Sequence, residues 1–232
     1  MKTQEYMKEV NMMIRKLSLV LGILLLFTGL VLIFQKPIMG YLVANMSEET
    51  IQKPNIEKAK ARPDTTFDFN EVRNISLQDV IDAQTKKKNI HAIGVISVPD
   101  VKMQLPIVYG ISNVNLTIGA GTMKADQTMG EGNYALAGHN MNNGKTLFSP
   151  LTKAKKDMKI YITDYKYIYE YNISDMFIVK PTQVEVIQDQ PDQKLITLVT
   201  CNYNGEKRMI IRGKLIKKQA YSDDTNYFKI SK

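Results

Sequence analysis

The chain holds one cysteine, Cys201, and two histidines, His91 and His139. A thiol acts as a nucleophile only as its thiolate, which needs a base or cation beside it, and attack on a carbonyl also calls for a donor to the oxyanion. One cysteine excludes an intramolecular disulfide and a four-cysteine zinc site. Imidazole acid–base chemistry is confined to two positions. Cys201 closes the apolar run LITLVTC and abuts the polar NYNGE, which places it at the rim of a sheet. The same position suits a small buried hydrophobe. His139 lies in ALAGHNMNNG, where a small-residue strand enters a Gly-flanked turn that lets backbone approach a ligand; a hydrogen-bonded structural histidine is the alternative. His91 follows a lysine run and reads as solvated surface.

Arg208 and Arg212 share one face of a strand and are the candidate cations. If 195–201 and 207–216 form an antiparallel hairpin across a six-residue loop, Cys201 faces Arg208. Arg212 then lies about 13 Å farther, at about 3.4 Å per residue. A bulge in NYNGEK would turn this register by one residue.

These side chains need a scaffold. Short β-rich runs at 92–98, 101–108, 133–137, 158–163, 166–171, 174–180, 195–201 and 207–216 predict eight strands, a barrel or sandwich. Tyr167, Tyr169 and Tyr171 alternate onto one face, after a tight turn at 164–165. Ser76 with Asp79 three residues on predicts a capped amphipathic helix ending at the lysines 86–88. The stretch 109–132, rich in Gly, Asn and Thr, reads as an irregular loop long enough to suggest function.

Ahead of that domain, residues 17–34 carry no charge and as a helix span roughly 27 Å, enough for one membrane crossing. Lys2, Lys8, Arg15 and Lys16 precede it, so residues 1–16 are expected in the cytoplasm and everything after Phe34 outside. A cleaved signal peptide has a shorter apolar core and a small-x-small site, and a buried core helix is not apolar on every face. Residues 35–75 read as an extracellular stalk in which Pro37, Pro54 and Pro63 break any long helix, 76–218 as the catalytic domain, and 219–232 as a polar tail. With 232 residues, 44% hydrophobic and 23% charged, the chain folds. Its net charge of +8 is spread without a dense basic helix, so no nucleic acid is expected.

TLVTC at 197–201, YALAGHN at 134–140, EKRMII at 206–211 and VKPTQVEVI at 179–187 together resemble the class A, or housekeeping, sortases, the cysteine transpeptidases of Gram-positive bacteria. The resemblance covers roughly 76–218 and includes the order His, Cys, Arg. It implies a mainly β fold, an eight-stranded sortase-type barrel with short helices behind a single N-terminal membrane helix. It also implies cleavage of an L-P-x-T-G sorting signal after threonine and transfer to a cell-wall peptide amine of the lipid II type. Cys201 would form the thioester, His139 would shuttle the proton, and Arg208 would steady the oxyanion. The matching groove positions are Ala137, Val184, Val186, Ile187, Val199 and Thr200. No cofactor is implied; the partners would be surface proteins bearing a sorting signal and the cytoplasmic membrane. Some class A members bind calcium before the histidine, but the matching positions here are Lys124 and Gln127, with Glu131 a remnant, so calcium-independent activity is expected. The alternatives are a pilin-polymerising sortase, against which the short polar tail argues, a thiol peptidase, or an anchored extracellular β-domain that only binds wall or protein partners.

Overall fold

The computed structural model describes residues 2–52, 54–63, 65–69, 72–202, 206–222 and 226–228; of the side chains before residue 11, it describes those of Tyr6 and Met7. Two compact units result, 1–39 and 40–232.

Helix α1 runs from Lys2 to Ile51. Among the described residues it is the one helix long and apolar enough to cross a membrane, with a mean hydropathy of 2.8 in its best window. Leu17, Ile23, Leu26 and Ile33 are all exposed, as expected of a helix apolar on every side. The break expected at Pro37 does not occur, and Pro37 lies inside the helix. A proline removes one N–H from the ladder, and a long helix retains its bonds on either side.

The last turns of α1 belong to the second unit. Val43 and Met46 are fully buried, and Thr50 nearly so. The Ser47 hydroxyl donates to the Ile118 carbonyl, Glu49 pairs with Lys87 at 2.9 Å, and the Tyr165 hydroxyl donates to the Ile51 carbonyl at 3.2 Å. The front of the stretch read as a stalk is therefore a packed helix, followed by the short helix α2 (Ile56–Lys60). Helix α3 (Leu77–Lys86) starts as the sequence predicts: Ser76 and Asp79 form a reciprocal capping box.

Eight strands close into a barrel in the order β1-β2-β3-β4-β7-β8-β6-β5. They are β1 (Gly94–Val98), β2 (Met103–Val108), β3 (Ala120–Thr122), β4 (Asn133–Ala137), β5 (Lys159–Thr163), β6 (Tyr167–Val179), β7 (Leu195–Cys201) and β8 (Arg208–Ala220). The pairs β2/β3 and β4/β7 are parallel, and the other neighbours are antiparallel. Ile96, Ile107, Leu136, Ile160, Leu198 and Ile211 are inaccessible to solvent and form part of the core.

The expected count of eight is met, but two of its parts differ. The runs 166–171 and 174–180 are one strand, β6, whose register shifts at Glu170/Tyr171 and Ile173/Asp175 absorb the polar interruption. The eighth strand, β3, lies inside 109–132 together with helix α4 (Asn113–Ile118). Three buried residues, AGT, are too few to display an alternation.

Met46 sits outside the barrel in sequence yet is wholly buried. Met46→Ala is expected to cost about 2–5 kcal/mol in urea unfolding of the full chain in detergent. A change within about 0.5 kcal/mol would return residues 40–51 to the role of a spacer.

Candidate active site

Strand β7 carries the thiol at its last residue and has a neighbour on each side. Against β8 the register pairs Cys201 with Arg208, Val199 with Ile210 and Thr197 with Arg212, the pairing the hairpin length predicts. Against β4 the parallel register reaches Ala137 opposite Val199. One more ladder bond follows, Gly138 N–H to the Val199 carbonyl at 3.1 Å. Beyond it, side chains continue the link: the Thr200 hydroxyl donates to the Gly138 carbonyl at 2.7 Å, and the Asn140 amide donates to the Cys201 carbonyl at 3.2 Å. His139 is thereby brought level with Cys201.

Gly138 is small for a reason. A Cβ there would stand 2.6 Å from the Phe148 ring, and the Phe148 N–H donates to the His139 carbonyl at 2.9 Å. The turn after β4 folds back tightly onto the strand. His139 is 4% exposed, whereas Cys201 is a partly exposed free thiol. Burial pushes the His139 pKa down to about 4, opposed by the Asp79 carboxylate of α3. Burial raises the Asp79 pKa, but hydrogen bonds from the Ser76 hydroxyl and backbone, with the Arg73 charge, outweigh it and leave it below the ordinary carboxylate value. At neutral pH the imidazole is neutral.

A small cavity is lined by His139, Cys201, Arg208, Ala137, Val199 and Thr200, with Phe69, Val72 and Leu116 among the rest. A neighbouring apolar groove takes in Val184, Val186, Ile187, Val199 and Arg208. Each of the catalytic and groove positions that the resemblance implied lines one of the two cavities; His91 lies apart, before β1, and is half-buried. Arg212 reaches neither. Its guanidinium lies over Phe177, 5.3 Å from the centroid, and donates to the Val186 carbonyl at 2.9 Å, so it braces the groove segment. Sequence reasoning missed Phe67, Phe69 and Val72, which come from the stretch read as a stalk. The signal available was two aromatics at i and i+2 in otherwise polar sequence.

The groove segment 184–189 is pinned from several sides. Asn133 donates from its side chain to the Val186 and Gln188 carbonyls, both at 3.1 Å, and from its backbone to Asp189 at 2.8 Å. The Lys124 ammonium meets Asp189 at 2.6 Å, and hydrogen bonds from Lys124 and Asn133 hold the Asp189 carboxyl below its usual pKa. Gln127 exchanges hydrogen bonds with the backbone of Ala135. Lys124 thus supplies a positive charge between the loop before β4 and the loop before β7.

Residues 96–216 match the sortase domain family. The chain belongs to the sortase family. It is 42% identical to sortase A of Streptococcus agalactiae over 87% of this chain and 85% of that one. It is 40% identical to sortase A of Listeria monocytogenes over 85% and 90%. The crystal structure of the Listeria enzyme superimposes with a TM-score of 0.58, covering 61% of this chain and 99% of that one. These likenesses make it a class A sortase, a cysteine transpeptidase that anchors surface proteins bearing sorting signals. They do not favour a pilin polymerase, a peptidase or a binding domain.

Two outcomes follow from the site. An unfolded imidazole titrates near 6.5 and His139 near 4, so between these values the unfolded chain binds the extra proton. The stability contributed by neutral His139 is present above pH 6.5 and is lost as pH falls toward 4. His139→Gln should therefore lose less stability than wild type between neutral pH and the acid end of that window, measured by urea titrations; equal losses would refute the buried, neutral imidazole. Transpeptidation rates should be the same in chelator and in millimolar calcium, because the Lys124 ammonium already pairs with Asp189 beside the loop before β4 and would repel an added cation. A several-fold activation by calcium would contradict this.

Proposed function

We propose that this sortase attaches surface proteins through Cys201, His139 and Arg208, acting on an L-P-x-T-G sorting signal. The observation that carries the proposal is the meeting of one thiol, one imidazole and one guanidinium at a single cavity, delivered by β7, the end of β4 and β8. The Cys201 proton passes to His139 as the sulfur attacks the threonine carbonyl. Arg208 donates to the oxygen that becomes negative. The imidazolium returns the proton to the glycine nitrogen as the threonine–glycine bond breaks, leaving a thioester on Cys201. An incoming amine attacks that thioester and gives its proton to His139, and the sulfur leaves and takes that proton back from the imidazolium.

Val184, Val186, Ile187 and Val199 would receive the leucine and proline of the signal, Ala137 would border the imidazole, and Thr200 would sit beside the scissile carbonyl. The acceptor is a cell-wall precursor amine of the lipid II type. The helix spanning 17–34 holds the enzyme in the cytoplasmic membrane with 1–16 inside and the catalytic domain outside, where both substrates lie; the positive residues before the helix support this direction.

The full chain in detergent, given an L-P-x-T-G peptide and an amine acceptor, should join threonine to the acceptor, read by mass spectrometry. Cys201→Ala and His139→Ala should abolish the product. Arg208→Lys should lose at least about ten-fold in kcat/KM, because a point charge does not reproduce the guanidinium fork. Threonine released only as a free acid, or full activity in Arg208→Ala, would overturn these assignments.

A further inference from the structure

Phe69 lies in the polar stretch before the catalytic domain and outside the matched residues 96–216. Its ring centroid stands 5.4 Å from the Arg208 guanidinium carbon. Phe69, Val199 and Arg208 are the residues common to the cavity around Cys201 and the apolar groove, and so mark the junction of the two. Phe69 also packs on the apolar cluster that includes Val199 and Ile210, the nearest cross-strand pair on the same face as Cys201 and Arg208.

The chain that carries this ring is tied down. The Thr66 carbonyl accepts from the Ile111 N–H at 2.8 Å, and the Thr66 hydroxyl accepts from the Asp68 N–H at 3.1 Å. Phe67 meets Tyr109 edge-on at 5.2 Å. Farther back, Arg62 donates to the Asn115 side chain of α4 at 2.8 Å. Phe69 is thus presented by an anchored strap.

We infer that Phe69 is a positioning residue for Arg208: its π face holds the guanidinium at the junction where the sorting signal passes from groove to thiol. The inference rests on the role proposed above for Arg208. A guanidinium on a flexible stem can swing, and one held against an aromatic face keeps its remaining N–H donors turned toward the oxyanion. An aliphatic residue of similar size preserves the wall and the packing but has no quadrupole to hold a cation. Tyrosine preserves both.

Phe69→Leu and Phe69→Tyr, each in the full chain in detergent, separate these contributions with the L-P-x-T-G peptide and amine acceptor. Phe69→Tyr is expected to remain within about two-fold of wild type. Phe69→Leu is expected to lose about ten-fold in kcat with a smaller change in KM, at an unchanged urea midpoint. In an Arg208→Lys background the Phe69→Leu step should shrink to less than about three-fold, because the geometry it protects is already gone. Equal activity of the Leu and Tyr variants would overturn the inference and leave Phe69 as apolar wall. A Leu variant faster than wild type would also overturn it, making the strap a cover. If Arg208→Ala is inactive while Phe69→Leu is normal, only this inference fails. If Arg208→Ala is fully active, the functional reading beneath it fails.

Discussion

Strand β7 stands between a parallel neighbour and an antiparallel one, and the register of those two ladders decides whether this protein has an active site. Cys201 pairs with Arg208 through β8, while the ladder to β4 brings His139 level with the thiol. A slip of one residue in either ladder would exchange the faces of every side chain beyond it. The interior guards against a slip. Leu198 opposite Ile211 and Val199 opposite Ile210 fill both sides of the sheet, and Gly213 faces Ile196 at a point where even a Cβ would meet that side chain at 3.1 Å. Apolar packing along β7 therefore places a polar site at its end, just where the backbone ladder to β4 gives way to side-chain bonds from Thr200 and Asn140.

Two arginines on one face of β8 serve different ends. Arg208 looks into the cavity with the thiol and the imidazole. Arg212, two pleat repeats farther along, spends its donor on the Val186 carbonyl and holds the groove segment to the barrel. Asn133 and the Lys124–Asp189 pair restrain the same segment from the other direction. That ion pair is largely exposed on the carboxylate side, so its worth lies in fixing where a loop ends more than in stability. The contrast between a buried imidazole and a partly exposed thiol accompanies this layout: His139 follows the end of β4, and Cys201 stands at the rim as the last residue of β7.

Much of the site was legible in the residues alone. A lone cysteine ending an apolar run, a histidine between small residues and a cation at hairpin distance are local patterns, and their motifs in order resemble a known family. Strand β7 was read with its observed bounds, because both of its ends are punctuated by polar turns. The capping box of α3 was equally local. Less local features escaped. The AGT strand borrows its definition from β2 and β4, which lie on either side of it. The long strand β6 is continuous because β8 pairs with it across two register shifts.

Sequence by itself determined the chemistry: one thiol, one placed imidazole, two arginines whose parity puts them on one face, and an apolar helix long enough for a membrane. Tertiary structure decided which segments surround that chemistry. Proline and polar composition made residues 35–75 look like a spacer, since such composition reports only the lack of a continuous apolar face. The fold instead buries Val43 and Met46 and lays Phe69 over Arg208. Ser47 meets Ile118 and Phe69 meets Arg208 across long stretches of chain, and no local periodicity encodes so distant a partner.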